Sequence, residues 1–150
     1  MMPLHGLPPL SLGPSDVLLL VLSACAAVSD LRSRRVPNAL VALGAIVGVF
    51  LAFHALGASG VGSSLLGAAV GLGVLFPFFA LGLLGAGDVK LLSMIGTFTG
   101  VEGVLRIAFW SALAGGVLAL GMLIACRGRV MHIPFAVAMW CSVLAWWVLR

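Results

Sequence analysis

Apolar runs of membrane-crossing length follow one another along almost the whole chain, parted only by short polar or glycine-rich breaks. The hydrocarbon of a bilayer takes a helix of about 20 apolar residues to cross. Only 8% of the residues are charged and 63% are hydrophobic, whereas a soluble domain carries about 25% charged residues. So little charge leaves no polar coat for a soluble globule, and lipid must cover most of the surface. The expected fold is an all-α polytopic membrane protein with about six transmembrane helices. No hydrophilic stretch is long enough to fold apart, so residues 1–150 are expected to form a single membrane-embedded domain.

Pro3, Pro8, Pro9 and Pro14 make the first residues a poor helix, and 1–15 is expected to be a mobile lead-in. The first span is expected over 16–30 and the second over 38–58, with a polar loop carrying Arg32, Arg34 and Arg35 between them. Residues 57–64 form an uncharged turn of small residues, and the third span covers 65–84. Gly85-Ala86-Gly87-Asp88 breaks the pattern before a fourth span over 89–101 and a fifth over 104–125. After the basic loop 127–132, Pro134 falls in the first turn of a last span, where a helix accepts proline.

With six spans, Arg32, Arg34, Arg35, Lys90, Arg127 and Arg129 share one side, against Arg106 and Arg150 on the other. The excess places the first side in the cytoplasm and the N-terminus outside. Asp30 and Asp88 are then two crossings apart and lie on one face. The spans that meet them are short, with only about 13–15 clearly apolar residues against the roughly 20 needed. That shortfall puts both carboxylates near membrane depth, where an ionisable group is costly and usually functional.

The net charge of +4 does not indicate nucleic acid, because the basic residues are scattered through short loops. Cys25, Cys126 and Cys141 lack paired spacing and read as small packing residues, so neither a metal site nor a cofactor is expected. Leu22-Ser23-Ala24-Cys25 imitates a lipoprotein signal, but no Lys or Arg precedes it and further spans follow, so its removal is not expected.

The chain has four acidic residues. Asp16 opens a helix, as a capping residue does. Glu102 stands four residues before Arg106, the spacing of a surface ion pair. Taken singly, Asp30 balances the neighbouring arginines and Asp88 caps a helix. Taken together, two aspartates within reach of each other share a proton. The charged one then accepts a proton from water, and the neutral one donates a hydrogen bond to the carbonyl under attack. Gly85 and Gly87 suit a substrate chain that must approach closely.

Gly85-Ala86-Gly87-Asp88-Val89-Lys90 resembles the Gly-x-Gly-Asp signature of the type IV prepilin peptidases. Ser29-Asp30-Leu31-Arg32 through Val36-Pro37-Asn38 resembles their other aspartate motif, and Ile133-Pro134-Phe135-Ala136 their Ile-Pro-aromatic segment. The matches keep the family's order. The resemblance implies an aspartic endopeptidase that removes the short leader of prepilins or pseudopilins at the cytoplasmic face of the inner membrane. It implies catalytic roles for Asp30 and Asp88, with Arg32, Gly85, Gly87 and Lys90 binding substrate or tuning the dyad. The cysteine-bearing cytoplasmic domain of larger members has no counterpart here. No methyltransferase activity is therefore expected, and the chain is similar to the short peptidases of tight-adherence pili and to archaeal preflagellin peptidases.

The competing reading is a non-enzymatic transport or pilus-assembly subunit, and a third is an aspartic protease that cuts within spans. No internal repeat supports a transporter, and the acids gather at one face. His54 reads as a packed or cavity-facing residue in mid-span, and Trp140, Trp146 and Trp147 as interfacial or packing residues. Gly44/Gly48, Gly67/Gly71 and Gly96/Gly100 have the spacing that lets helices approach closely.

Overall fold

A computed structural model describes residues 13–33, 35–82, 84–125 and 135–148, the stretch 118–125 by its backbone alone. These residues form α1 (Pro14–Ser33), α2 (Asn38–Ala80), α3 (Ala86–Ala125) and α4 (Phe135–Val148). Residues 1–12, Arg34, Cys126, Arg127, Arg129, Ile133, Pro134 and Arg150 lie outside the described residues. Most of the expected lead-in, the basic loop 127–132 and the Ile133-Pro134 half of the Ile-Pro-aromatic segment lie outside them too.

Helix α1 begins at Pro14, inside the stretch expected to be a lead-in. Proline suits the first helical position because the N–H it lacks would have no partner there. Asp16 completes the start: its Oδ2 accepts the Gly13 N–H at 3.2 Å, the acid-to-N-cap half of a capping box. The helix runs to Ser33, so Asp30 lies within its last turns rather than at its end.

Helices α2 and α3 are each broken by a glycine in a conformation that L side chains avoid. Gly57 has φ 63° and ψ −141°, and Gly100 has φ 65° and ψ −170°. The contacts show that the chain reverses at Gly57. Gly44 packs on Met94 and Gly48 on Thr97, so 38–56 runs parallel to 86–99. Gly67 lies on Gly96 and Gly71 on Leu92, so 58–80 runs antiparallel to the same segment. Gly103 meets Trp146 while Gly115 meets Phe135, which sets 101–125 antiparallel to α4. The described residues therefore comprise six helical segments.

The turn expected over 57–64 is corrected by the structure. Reversal takes Gly57 alone, and Gly60 and Ser64 are buried inside the next segment. They are small because a neighbour lies against them: Gly60 faces the Ala52 carbonyl, and Ser64 Oγ donates to the Thr97 carbonyl at 2.7 Å. Gly57 has nothing within contact range of an added Cβ. Gly57→Ala is therefore expected to cost only the backbone strain, about 1–3 kcal/mol, read from unfolding in detergent.

Segment 86–99 is the centre of the fold. Leu91, Leu92, Met94 and Ile95 are fully buried, and Leu19, Val104, Ile107, Met139 and Val143 close around them. At 14 residues it spans about 21 Å at 1.5 Å per residue, short of the bilayer hydrocarbon. The outer faces are apolar: Leu43, Ile46, Phe50, Leu56, Leu66, Phe109 and Val117 are all exposed. Pro14–Ser33, Asn38–Ala80 and Ala86–Val117 are long and apolar enough to cross a membrane. An exposed apolar surface of this extent belongs in lipid, and the chain is a membrane protein.

Several smaller expectations are met or corrected at the periphery. Arg106 donates to Glu102 at 2.6 Å across an exposed helix face, as the spacing predicts. His54, expected to be packed or cavity-facing in mid-span, is exposed, three positions before the reversal, with its ring edge-on to Phe50 at 4.5 Å. Cys25 and Cys141 are exposed free thiols rather than packed ones. Trp146 packs against the core, and the indole N–H of Trp140 is buried without a described partner.

Candidate active site

The C-terminal end of α1 and the N-terminal ends of α2 and α3 meet at one end of the molecule. There they enclose a cavity of about 370 Å³ lined by Asp30, Arg35, Val36, Asn38, Gly85, Ala86, Gly87, Asp88 and Lys90. Both aspartates that the sequence singles out are in this lining, half-buried, one from each of two different helices.

Asp88 is placed by the way α3 starts. Helix α2 ends at Ala80, and Gly82, with φ 71°, donates to the Phe79 carbonyl, the bond that closes a helix at a left-handed glycine. The chain then restarts at Ala86, with Gly85 as the residue before it. Asp88 Oδ2 accepts the Gly85 N–H at 3.3 Å, while the Asp88 N–H reaches the Gly85 carbonyl at 3.1 Å. Capping and a place in the cavity therefore coexist in one side chain.

Neither Gly85 nor Gly87 uses the left-handed backbone open to glycine. Among the described residues, positive φ occurs at Gly57, Gly82 and Gly100, not at Gly85 or Gly87. Gly87 lies within the first turn of α3, and a Cβ there would sit 3.3 Å from the Cβ and Cγ2 of Val36. Its smallness lets the α1–α2 loop rest on the start of α3.

Asp30 is placed by α1 and tied to that loop. The adjacent Ser29 Oγ donates to the Arg35 carbonyl at 3.0 Å, and Ser33 Oγ donates to the Ser29 carbonyl at 2.8 Å. Pro37 precedes α2 in an extended conformation, with φ −63° and ψ 126°. Lys90 Nζ donates to Asn38 Oδ1 at 3.1 Å, joining the starts of α2 and α3.

Of the residues expected at the site, Asp30, Asp88, Gly85, Gly87 and Lys90 line the cavity. Arg32 does not: it is exposed near the end of α1, outside the lining, and among the described residues the arginine that lines the cavity is Arg35. Besides Arg35, Val36 and Ala86, the sequence reading left Asn38 out of the site. Its signal was a polar side chain directly after a proline, at the head of a long apolar run. Among the described residues, no group of three or more His, Cys, Asp or Glu side chains gathers as a metal site would require.

Fold and cavity together define a helical membrane protein with two aspartates lining one recess at the end of its helices. The chain belongs to the type IV leader peptidase family, whose profile matches residues 17–120. The matched stretch contains both aspartates and every residue of the cavity lining. No curated protein matches the chain, and no solved structure does.

Proposed function

We propose that this peptidase is an aspartic endopeptidase that removes the short leader of prepilins or pseudopilins, with Asp30 and Asp88 as its catalytic pair. The observation that carries the reading is the shared cavity: residues far apart in sequence, on α1 and α3, bring their carboxylates to one recess. One carboxylate takes a proton from water as the water attacks the scissile carbonyl. The other, protonated, donates a hydrogen bond to the developing oxyanion. The proton then passes to the leaving amine, and the pair returns to its starting state.

The six helical segments are read as six crossings, with the cavity opening at the cytoplasmic face of the inner membrane. The basic residues support that orientation, since Arg32, Arg35 and Lys90 all cluster at the cavity end. In this reading the substrate's leader comes from the cytoplasm and its apolar mature segment stays in lipid. Membership of the leader peptidase family favours this over a transport or assembly role.

Co-expression with a prepilin tests the proposal through the size and new N-terminus of the product. The expected result is a pilin shortened by its leader at a single bond at the head of the apolar segment. A product cut within that segment would favour a protease acting inside spans. Intact prepilins, across a panel and with the peptidase inserted in the membrane, would overturn the reading.

A further inference from the structure

The two aspartates stand on helices that are not consecutive, α1 and α3, and a functioning pair needs a fixed separation. The segment linking their surroundings is the α1–α2 loop. At one end it is held to α1 by the Ser29 hydroxyl on the Arg35 carbonyl, one residue from Asp30. At the other end it meets α3 twice: Val36 lies against Gly87, one residue from Asp88, and Asn38 accepts from Lys90. Asn38 is the first residue of α2, one past the N-cap Pro37, which has no side-chain group to cap with. Its amide oxygen accepts from Lys90 on α3.

We propose that Asn38 and Lys90 form a positioning clasp that holds the start of α3, and with it Asp88, at a working distance from Asp30. Neither residue is catalytic. Lys90 stands two positions after Asp88, a spacing that does not stack side chains on a helix face. Its ammonium is steadied instead by the Asn38 oxygen, 52 positions away in sequence. Loss of the clasp lets the first turn of α3 drift, and a displacement near 1 Å costs an aligned reaction about a hundredfold.

The inference rests on the peptidase reading, and the experiment keeps the two apart. The full chain is assayed in membranes on a prepilin that it processes, with Asp30→Asn and Asp88→Asn alongside. Asn38→Leu and Lys90→Met are each expected to lower kcat by about tenfold to a hundredfold, with KM changed by no more than about twofold. The double variant is expected to be no worse than the poorer single, because both remove one interaction. Lys90→Arg, which keeps a donor, is expected to recover most of the kcat lost in Lys90→Met. Unchanged kcat in Asn38→Leu would overturn the clasp, as would additive losses. A raised KM confined to the Lys90 variants would do the same, by making Lys90 a direct substrate contact. Activity retained in the aspartate variants would sink the peptidase reading instead.

Discussion

Asp30→Asn and Asp88→Asn are each expected to abolish leader removal, with a loss of at least about a thousandfold, while the protein stays folded in the membrane. Asparagine is the informative replacement because of what it keeps. At position 88 an amide oxygen can still accept the Gly85 N–H that the carboxylate accepts at 3.3 Å, so the start of α3 is preserved. Asp88→Ala removes that acceptor as well and is expected to cost about 1 kcal/mol of stability. A loss of activity shared by both variants, with a loss of stability in the alanine variant alone, separates chemistry from capping. What asparagine cannot do is cycle a proton, which is the whole task of the pair.

The Asp30→Asn/Asp88→Asn double variant is expected to be no less active than either single. Groups that work as one unit fail as one unit, and the second removal finds nothing left to lose. Measurement of prepilin turnover against the membrane-inserted amount of each variant checks this. Retention of more than about a tenth of the wild-type rate in either single, a loss of under 1.4 kcal/mol in barrier terms, would contradict a two-carboxylate mechanism. A deeper loss in the double would point to two independent roles.

The parts of the fold legible from the sequence are those where one physical demand acts alone. Apolar runs meet lipid, and the helices follow. The four-residue spacing of Glu102 and Arg106 becomes an ion pair on an exposed face. The presence of Asp30 and Asp88 at one end of the molecule was legible because carboxylates are scarce in a chain so apolar, and the parity of the helices between them puts them on one side. The features read less well are those where one residue type answers two demands. Glycine and serine over 57–64 mark a turn in a soluble protein, but here Gly60 and Ser64 are small to admit a neighbouring helix. Gly85 and Gly87 look like a flexible loop, yet the helix begins between them because Asp88 caps it. Arg32 and Arg35 are equivalent as loop charges. Only the path of the loop over α3, set by Val36 on Gly87, decides which one lines the cavity.

The largest expected effect on stability lies at the crossing of segments 58–80 and 86–99. A Cβ on Gly67 would run into the Gly96 carbonyl oxygen and would lie 2.8 Å from the Gly100 carbonyl carbon. A Cβ on Gly96 would lie 2.5 Å from the Gly67 carbonyl carbon and 2.9 Å from the Ala68 nitrogen. The obstacles are backbone on both sides, which no rotamer change can clear. Within lipid, where water exclusion does not drive helix association, such close approach is itself the source of cohesion. Nearby, Ser93 Oγ donates to the Ala68 carbonyl at 3.0 Å and Ser64 Oγ to the Thr97 carbonyl at 2.7 Å, bonds that exist only at this separation. Gly67→Val is therefore expected to force the helices apart and to cost at least about 3 kcal/mol, enough to deplete the folded protein in detergent. Gly73→Ala is the control on the same helix: that glycine is exposed, with nothing within 4 Å of an added Cβ. It is expected to leave stability unchanged or raise it by up to about 1 kcal/mol, through helix propensity. Thermal unfolding of the two variants, followed by helical signal and by prepilin cleavage, checks both. The segment displaced by Gly67→Val is the one that carries Asp88 in its first turn, so activity is expected to fall together with the fold. Equal stability of the two variants would mean that the glycine crossing does not hold the central segment in place.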